Sequence, residues 1–182
     1  MISGRIWLFD KIQKLFLYFG AFIRPSSKNN IDFIFEFIKQ KNCGLDLIMI
    51  GDGNDGTYVI PNDVVGINSC FSPGVGPTAM FEEALYDKFK IKSHLIDATV
   101  DKVPSSRKDF YTFEQKNLGA VTYDNQIDLD TWVKKNIDID SKEDLILQMD
   151  IEGAEFSSIL SCDHETLRKF RIIAIEIHFL DF

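Results

Sequence analysis

Residues 146–156, ILQMDIEGAEF, set three carboxylates, Asp150, Glu152 and Glu155, within six positions directly after an apolar run. A charge at the rim of a hydrophobic core costs free energy unless it is paired or faces a ligand. Read as a strand, 144–150 puts Gln148 and Asp150 on one face, because side chains alternate. Asp150 then lies at the carboxyl edge and Glu152 in the connecting turn. Glu155 falls on the solvated first turn of a helix, where an acid suits the dipole. The same alternation puts Glu176 and His178 on one face of a strand over 171–179. Asp150, Glu152, Glu176 and His178 thus form one candidate pocket, able to take a proton from a reacting hydroxyl. Carboxylate and imidazole also suit Mg²⁺ or Mn²⁺, but no ligand spacing enforces a metal and none is assigned. A structural role stays open, with Glu176 a hydrogen-bonded core acid and His178 a satisfied strand-end histidine.

A second constellation lies upstream. In FSPGVGPT (71–78), Gly74 and Gly76 sit between a strand and a helix, where they allow a tight turn and close approach to the backbone. The helix start that follows offers unpaired N–H donors. Asp97 ends the next strand, 21 residues beyond Gly76, the separation at which an acid can hold ribose hydroxyls. Loop and acid together favour a nucleoside-containing cofactor. Taken singly, the loop reads equally as an ordinary turn and Asp97 as a helix cap.

The elements that must position these residues can be read from periodicity. Candidate strands at 64–71, 93–97, 109–113, 144–150 and 171–179 alternate with helices at 78–90, 129–136 (capped by Asp130) and within 153–170. The apolar runs at 144–150 and 171–179 suit strands covered on both faces, so the fold class is α/β, with a doubly wound, mainly parallel sheet. Residues 45–60 read as a hairpin-like entry, and 31–42 as an amphipathic helix. The stretch 24–30, RPSSKNN, reads as a linker, which divides the chain into an amino-terminal extension (1–30) and a domain (31–182).

Composition narrows the class further. The 182 residues are 45% hydrophobic with sixteen Phe, enough for one sizeable core. A net charge of −8 argues against a nucleic-acid binder. Three separated cysteines form neither a disulfide framework nor a zinc site, so the expected setting is cytoplasmic. Residues 5–23 carry a helical apolar stripe whose uncharged core is too short to span a bilayer; peripheral membrane contact and an uncleaved export signal are the alternatives to packing against the domain.

The order LDTWVKKN…DLILQMDIEGAEFSSIL…LRKFRIIAIEIH resembles the FkbM-type methyltransferases, as do NDGTYVIPNDV, FSPGVG…FE and LIDAT upstream, over roughly residues 48–181. The resemblance implies a Rossmann-like class I methyltransferase that uses S-adenosylmethionine, with O-methylation of a sugar, a glycan precursor or another small hydroxylated metabolite. It implies cofactor contacts from Ser72, Gly74, Gly76, Asp97, Asp150 and Glu152, and acceptor chemistry at Asp150, Glu176 and His178. Departures are Ser72 where the family's loop opens with an acid, Thr78 at the third glycine position, and Asp55-Gly56-Thr57 for Asp-Gly-Gly. The chain reads as ending after the fifth strand, short of the helix and strand pair that usually follow. A truncated, non-catalytic module is therefore the competing expectation, and a nicotinamide-dependent oxidoreductase a more distant one.

Overall fold

The computed structural model of the protein describes residues 11–12, 14–15, 27–54 and 56–179. The expected helix over 5–23 lies outside them except for 11–12 and 14–15, which are helical, and Asp55 also lies outside. The chain divides into two units, Met1–Asn42 with Leu180–Phe182, and Cys43–Phe179. In the first, helix α1 (Lys28–Ile38) begins inside the stretch read as a linker. No helix among the described residues is long and apolar enough to cross a membrane.

The second unit is built on a five-stranded, wholly parallel sheet. Its strands are β3 (Ile67–Pro73), β4 (Lys92–Ile96), β5 (Tyr111–Glu114), β8 (Asp144–Met149) and β9 (Phe170–Ile175), in the order β5-β4-β3-β8-β9. The chain winds outward from β3 in one direction, then returns to place β8 on its other side. That reversal opens a crevice at the carboxyl ends of β3 and β8, where doubly wound sheets bind ligands. The fold is α/β and Rossmann-like, as the alternation of elements predicts.

Both faces of the central strands are covered. Phe71, Leu145, Leu147 and Met149 pack on one side with Trp132 and Val133 of α3 (Leu129–Asn136). Cys70 and Ile146, one residue out of phase, pack on the other with Phe81 and Leu85 of α2 (Met80–Phe89). The expected hairpin is β1 (Leu47–Ile50) paired antiparallel with β2 (Tyr58–Pro61); its Ile50 and Ile60 join this second cluster. Helices α4 (Glu155–Ser161) and α5 (His164–Leu167) connect β8 to β9. A short parallel pair, β6 (Asn117–Gly119) with β7 (Gln126–Asp128), carries no periodic signal and was not expected.

Two expected boundaries are corrected. The cap of α3 is Asp128, whose carboxylate accepts from the Thr131 amide at 2.8 Å; Asp130 lies inside the first turn and accepts from the Asp163 amide instead. Strand β9 ends at Ile175, so Glu176 and His178 follow the strand rather than sharing one of its faces. Glu176 still donates its amide to the Met149 carbonyl at 2.9 Å, which carries the chain along the end of β8.

Candidate active site

Three strand ends are laced together where the sheet reverses. The Gly74 amide donates to Ile96 O at 3.0 Å, and the Asp150 amide to Pro73 O at 3.3 Å. Gly74 has φ +85°, and a Cβ there would lie 1.6 Å from the Asp150 carbonyl oxygen. This glycine serves the packing of β3 against β8 rather than room for a ligand. Gly76 is the open one: at φ +57° a Cβ would meet nothing within 4 Å.

Asp97 closes the loop from the β4 side. Its Oδ2 accepts from the Gly76 amide at 3.1 Å, and its Oδ1 from the amide and hydroxyl of Thr99, both at 2.7 Å. Burial acts to raise its pKa, but the hydrogen bonds from Thr99, Gly76 and Val75 outweigh that and hold the carboxyl below its ordinary value. The side chain stays ionised, and these donors already occupy most of the roughly four acceptor positions a carboxylate offers.

Ser72 does not reach the cleft. It is fully buried at the end of β3, its hydroxyl shared between the carboxyl of Glu82 and the amide oxygen of Gln148. Glu82 and Gln148 line the cleft in its place. Gln148 also bonds the Tyr58 hydroxyl; burial, with Asp150, Glu176 and Glu82 nearby, pushes that phenol up to about 12.

The carboxylate cluster gathers around His178. The ring Nε2 lies 3.6 Å from Glu152, 3.8 Å from Asp150 and 3.8 Å from Glu176, while Nδ1 sits 3.0 Å from Glu155 Oε1. The hydrogen bond with Glu155, then the charges of Glu152, Glu155 and Asp150, hold the imidazole above its ordinary pKa against a smaller desolvation penalty. Asp150, Glu152 and His178 bring ligand atoms within 4.8 Å of one another, a set that a divalent cation can use. Glu152 has φ +54°, a left-handed conformation that side chains rarely adopt and that concentrates at functional sites.

Glu155 differs most from its expectation. It is 2% exposed rather than solvated, and its Oε1 accepts the amides of Ile151 and Gly153 at 3.2 and 3.0 Å as well as meeting His178. An acid opening a helix just after a glycine turn is the sequence signal of such a reach-back. Glu82 is legible only as the last residue of the FSPGVG…FE stretch, with no role assigned to it; it sits beside Phe81 on the buried side of α2.

Together these residues wall a cleft of about 540 Å³, within the range of small-ligand sites. Among the described residues, five that line it are acidic (Glu82, Asp97, Asp150, Glu152 and Glu176) against one lysine, Lys116. Gly74, Gly76 and Tyr58 also line it, whereas His178 stands behind the acids it touches. The arrangement can accept protons and attract cations, and it repels phosphates.

A family model for the methyltransferase FkbM domain matches residues 34–182. No curated protein and no solved structure matches the chain. The match takes in the sheet, the loop at Gly74–Gly76, Asp97 and the whole carboxylate cluster: the chain belongs to the FkbM methyltransferase family.

Proposed function

We propose that the protein is an S-adenosylmethionine-dependent methyltransferase acting on a hydroxyl oxygen, with a sugar or another small hydroxylated metabolite as acceptor. The observation that carries this reading is the charge of the cleft, five acids to one lysine, beside a loop and strand-end acid suited to a nucleoside. S-adenosylmethionine bears a sulfonium and an ammonium against a single carboxylate, and so suits those walls. A nicotinamide dinucleotide would bring its pyrophosphate against the same acids. The Gly76 amide that could receive a phosphate is already bonded to Asp97.

The residues fit the cofactor as follows. Asp97 stands ionised at the cleft wall, where a ribose hydroxyl can replace one of its loop donors, and Gly76 leaves the loop open for close approach. Glu152 contributes negative charge at the cleft wall. When bound, S-adenosylmethionine supplies a methyl group on a positively charged sulfur, already activated for in-line displacement. Asp150 and Glu176 face the acceptor and take up its hydroxyl proton. His178, fixed by Glu155 on its Nδ1 side, balances the charge of Asp150, Glu152 and Glu176 and holds them together. The remaining task is alignment of the two reactants.

Calorimetric titration of the full chain tests this. Micromolar binding of S-adenosylmethionine and S-adenosylhomocysteine, weakened at least tenfold by Asp97→Asn, with no heat from NAD, is expected. Tighter binding of NAD would point to an oxidoreductase. A folded chain that binds none of the three would fit a non-catalytic module. A second reading of the carboxylate cluster, as a divalent-cation site, is favoured by the 4.8 Å grouping of Asp150, Glu152 and His178. Titration with Mn²⁺, repeated on His178→Gln, decides it: saturable binding lost in the variant supports the site, and its absence removes it.

A further inference from the structure

One carboxyl in the cleft has no use in the fold or in the reaction just described. Glu82, the third residue of α2, is 4% exposed, yet it lines the cleft wall beside Gln148. Its side-chain partner is the Ser72 hydroxyl, which is fully buried and also bonded to Gln148. Among the described residues no lysine, arginine or histidine forms an ion pair with it. The other cleft acids are provided for: Asp97 by amides and Thr99, and Asp150, Glu152 and Glu176 by His178.

A carboxylate buried without a cation is costly, and a single hydroxyl does not offset that cost. Burial accordingly holds the Glu82 carboxyl above its ordinary pKa, with the Ser72 hydrogen bond opposing. Glutamine would make the same bond to Ser72 without a charge to bury, so the acid serves something that arrives from the cleft. Its position says what. Asp97 ends β4 on one side of β3, and Glu82 adjoins Ser72 at the end of β3 and Gln148 on β8, the strand on the other side. Asp97 and Glu82 thus line one cleft from opposite sides of the loop that follows β3.

We propose that Glu82 receives a primary ammonium group, the amine of the methionine moiety of S-adenosylmethionine, an inference that rests on the cofactor reading above. In a wall sheltered from water the opposite charges attract more strongly than at the surface.

Calorimetric titration of the full chain with S-adenosylhomocysteine and with its deaminated analogue tests it. Wild type should prefer the amine-bearing ligand by about tenfold or more. Glu82→Gln, which keeps a hydrogen-bonding partner for Ser72, should erase that preference while binding the deaminated analogue as wild type does. Glu82→Asp, which keeps the charge, should retain most of it. A preference that survives in Glu82→Gln overturns the inference, as does equal loss in both variants, which would mark a packing role. Wild type binding neither ligand would defeat the cofactor reading itself, and this inference with it.

Discussion

A methyl group at position 74 would occupy the space of the Asp150 carbonyl oxygen, and the left-handed φ of +85° adds backbone strain to the collision. Gly74→Ala should therefore destabilise the protein by about 2–4 kcal/mol, read from urea denaturation midpoints. Gly76→Ala meets open space and should cost only about 1 kcal/mol for its φ of +57°. Equal losses for the two would contradict the packing role given to Gly74. The Glu155–His178 contact predicts a pH dependence. Burial acts to raise the pKa of Glu155, but hydrogen bonds from Gly153, its own amide, His178 and Ile151 hold it below 4.5. Its contribution is present above pH 4.5 and is lost as pH falls through the lower folded value. His178 is held above 6.5, chiefly by Glu155, so its contribution is full below pH 6.5 and fades as pH rises through the folded value. The stability gap between wild type and His178→Gln should peak between pH 4.5 and 6.5 and shrink on both sides. A flat gap from acid to alkaline pH would refute the pairing. Sequence exposed the residue types of this site because Asp150, Glu152, Glu176 and His178 lie next to apolar runs. It could not show that Glu155 turns inward, since that depends on where His178 arrives from 23 positions away.

Helix α3 shows what sequence resolves of an element. Its existence followed from the spacing of Leu129, Trp132 and Val133, all buried. Its start did not, because Asp128 and Asp130 are chemically interchangeable as caps, and only the turn at Thr122 decides between them. Asp128 accepts from the Thr131 amide and from the hydroxyls of Thr122 and Thr131. Asp128→Ala should cost about 1 kcal/mol in thermal or urea unfolding. Asp130→Ala should instead loosen the turn at Cys162–Asp163, which it holds through the Asp163 amide at 2.8 Å, read as faster hydrogen exchange at that amide. A larger loss of global stability in Asp130→Ala than in Asp128→Ala would reverse the assignment. The strands were legible for a different reason: β8 is buried on both faces, so its sequence is a continuous apolar run. Pairs of three residues such as β6 and β7 are held by neighbours rather than by their own pattern, and periodicity cannot reveal them.

At the scale of the whole molecule, the three thiols report on packing. Cys43 is exposed, whereas Cys70 and Cys162 are buried. Burial pushes the Cys70 thiol well up, and burial together with Asp130 pushes Cys162 up to about 12. A thiol reagent at neutral pH should therefore label one cysteine quickly, and the other two only in denaturant. Fast labelling of two or three would mean that the core around β3 or α3 opens. The sheet order carries one more consequence. Ser72 and Gln148 share a hydrogen bond across 76 positions of chain, and the two sides of the crevice come from segments that far apart. Closing so long a loop is entropically unfavourable until β8 docks on β3, and no fragment that lacks either strand contains the crevice. Whatever binds there recognises only the completed sheet, and it will raise the melting temperature in proportion to the logarithm of its concentration.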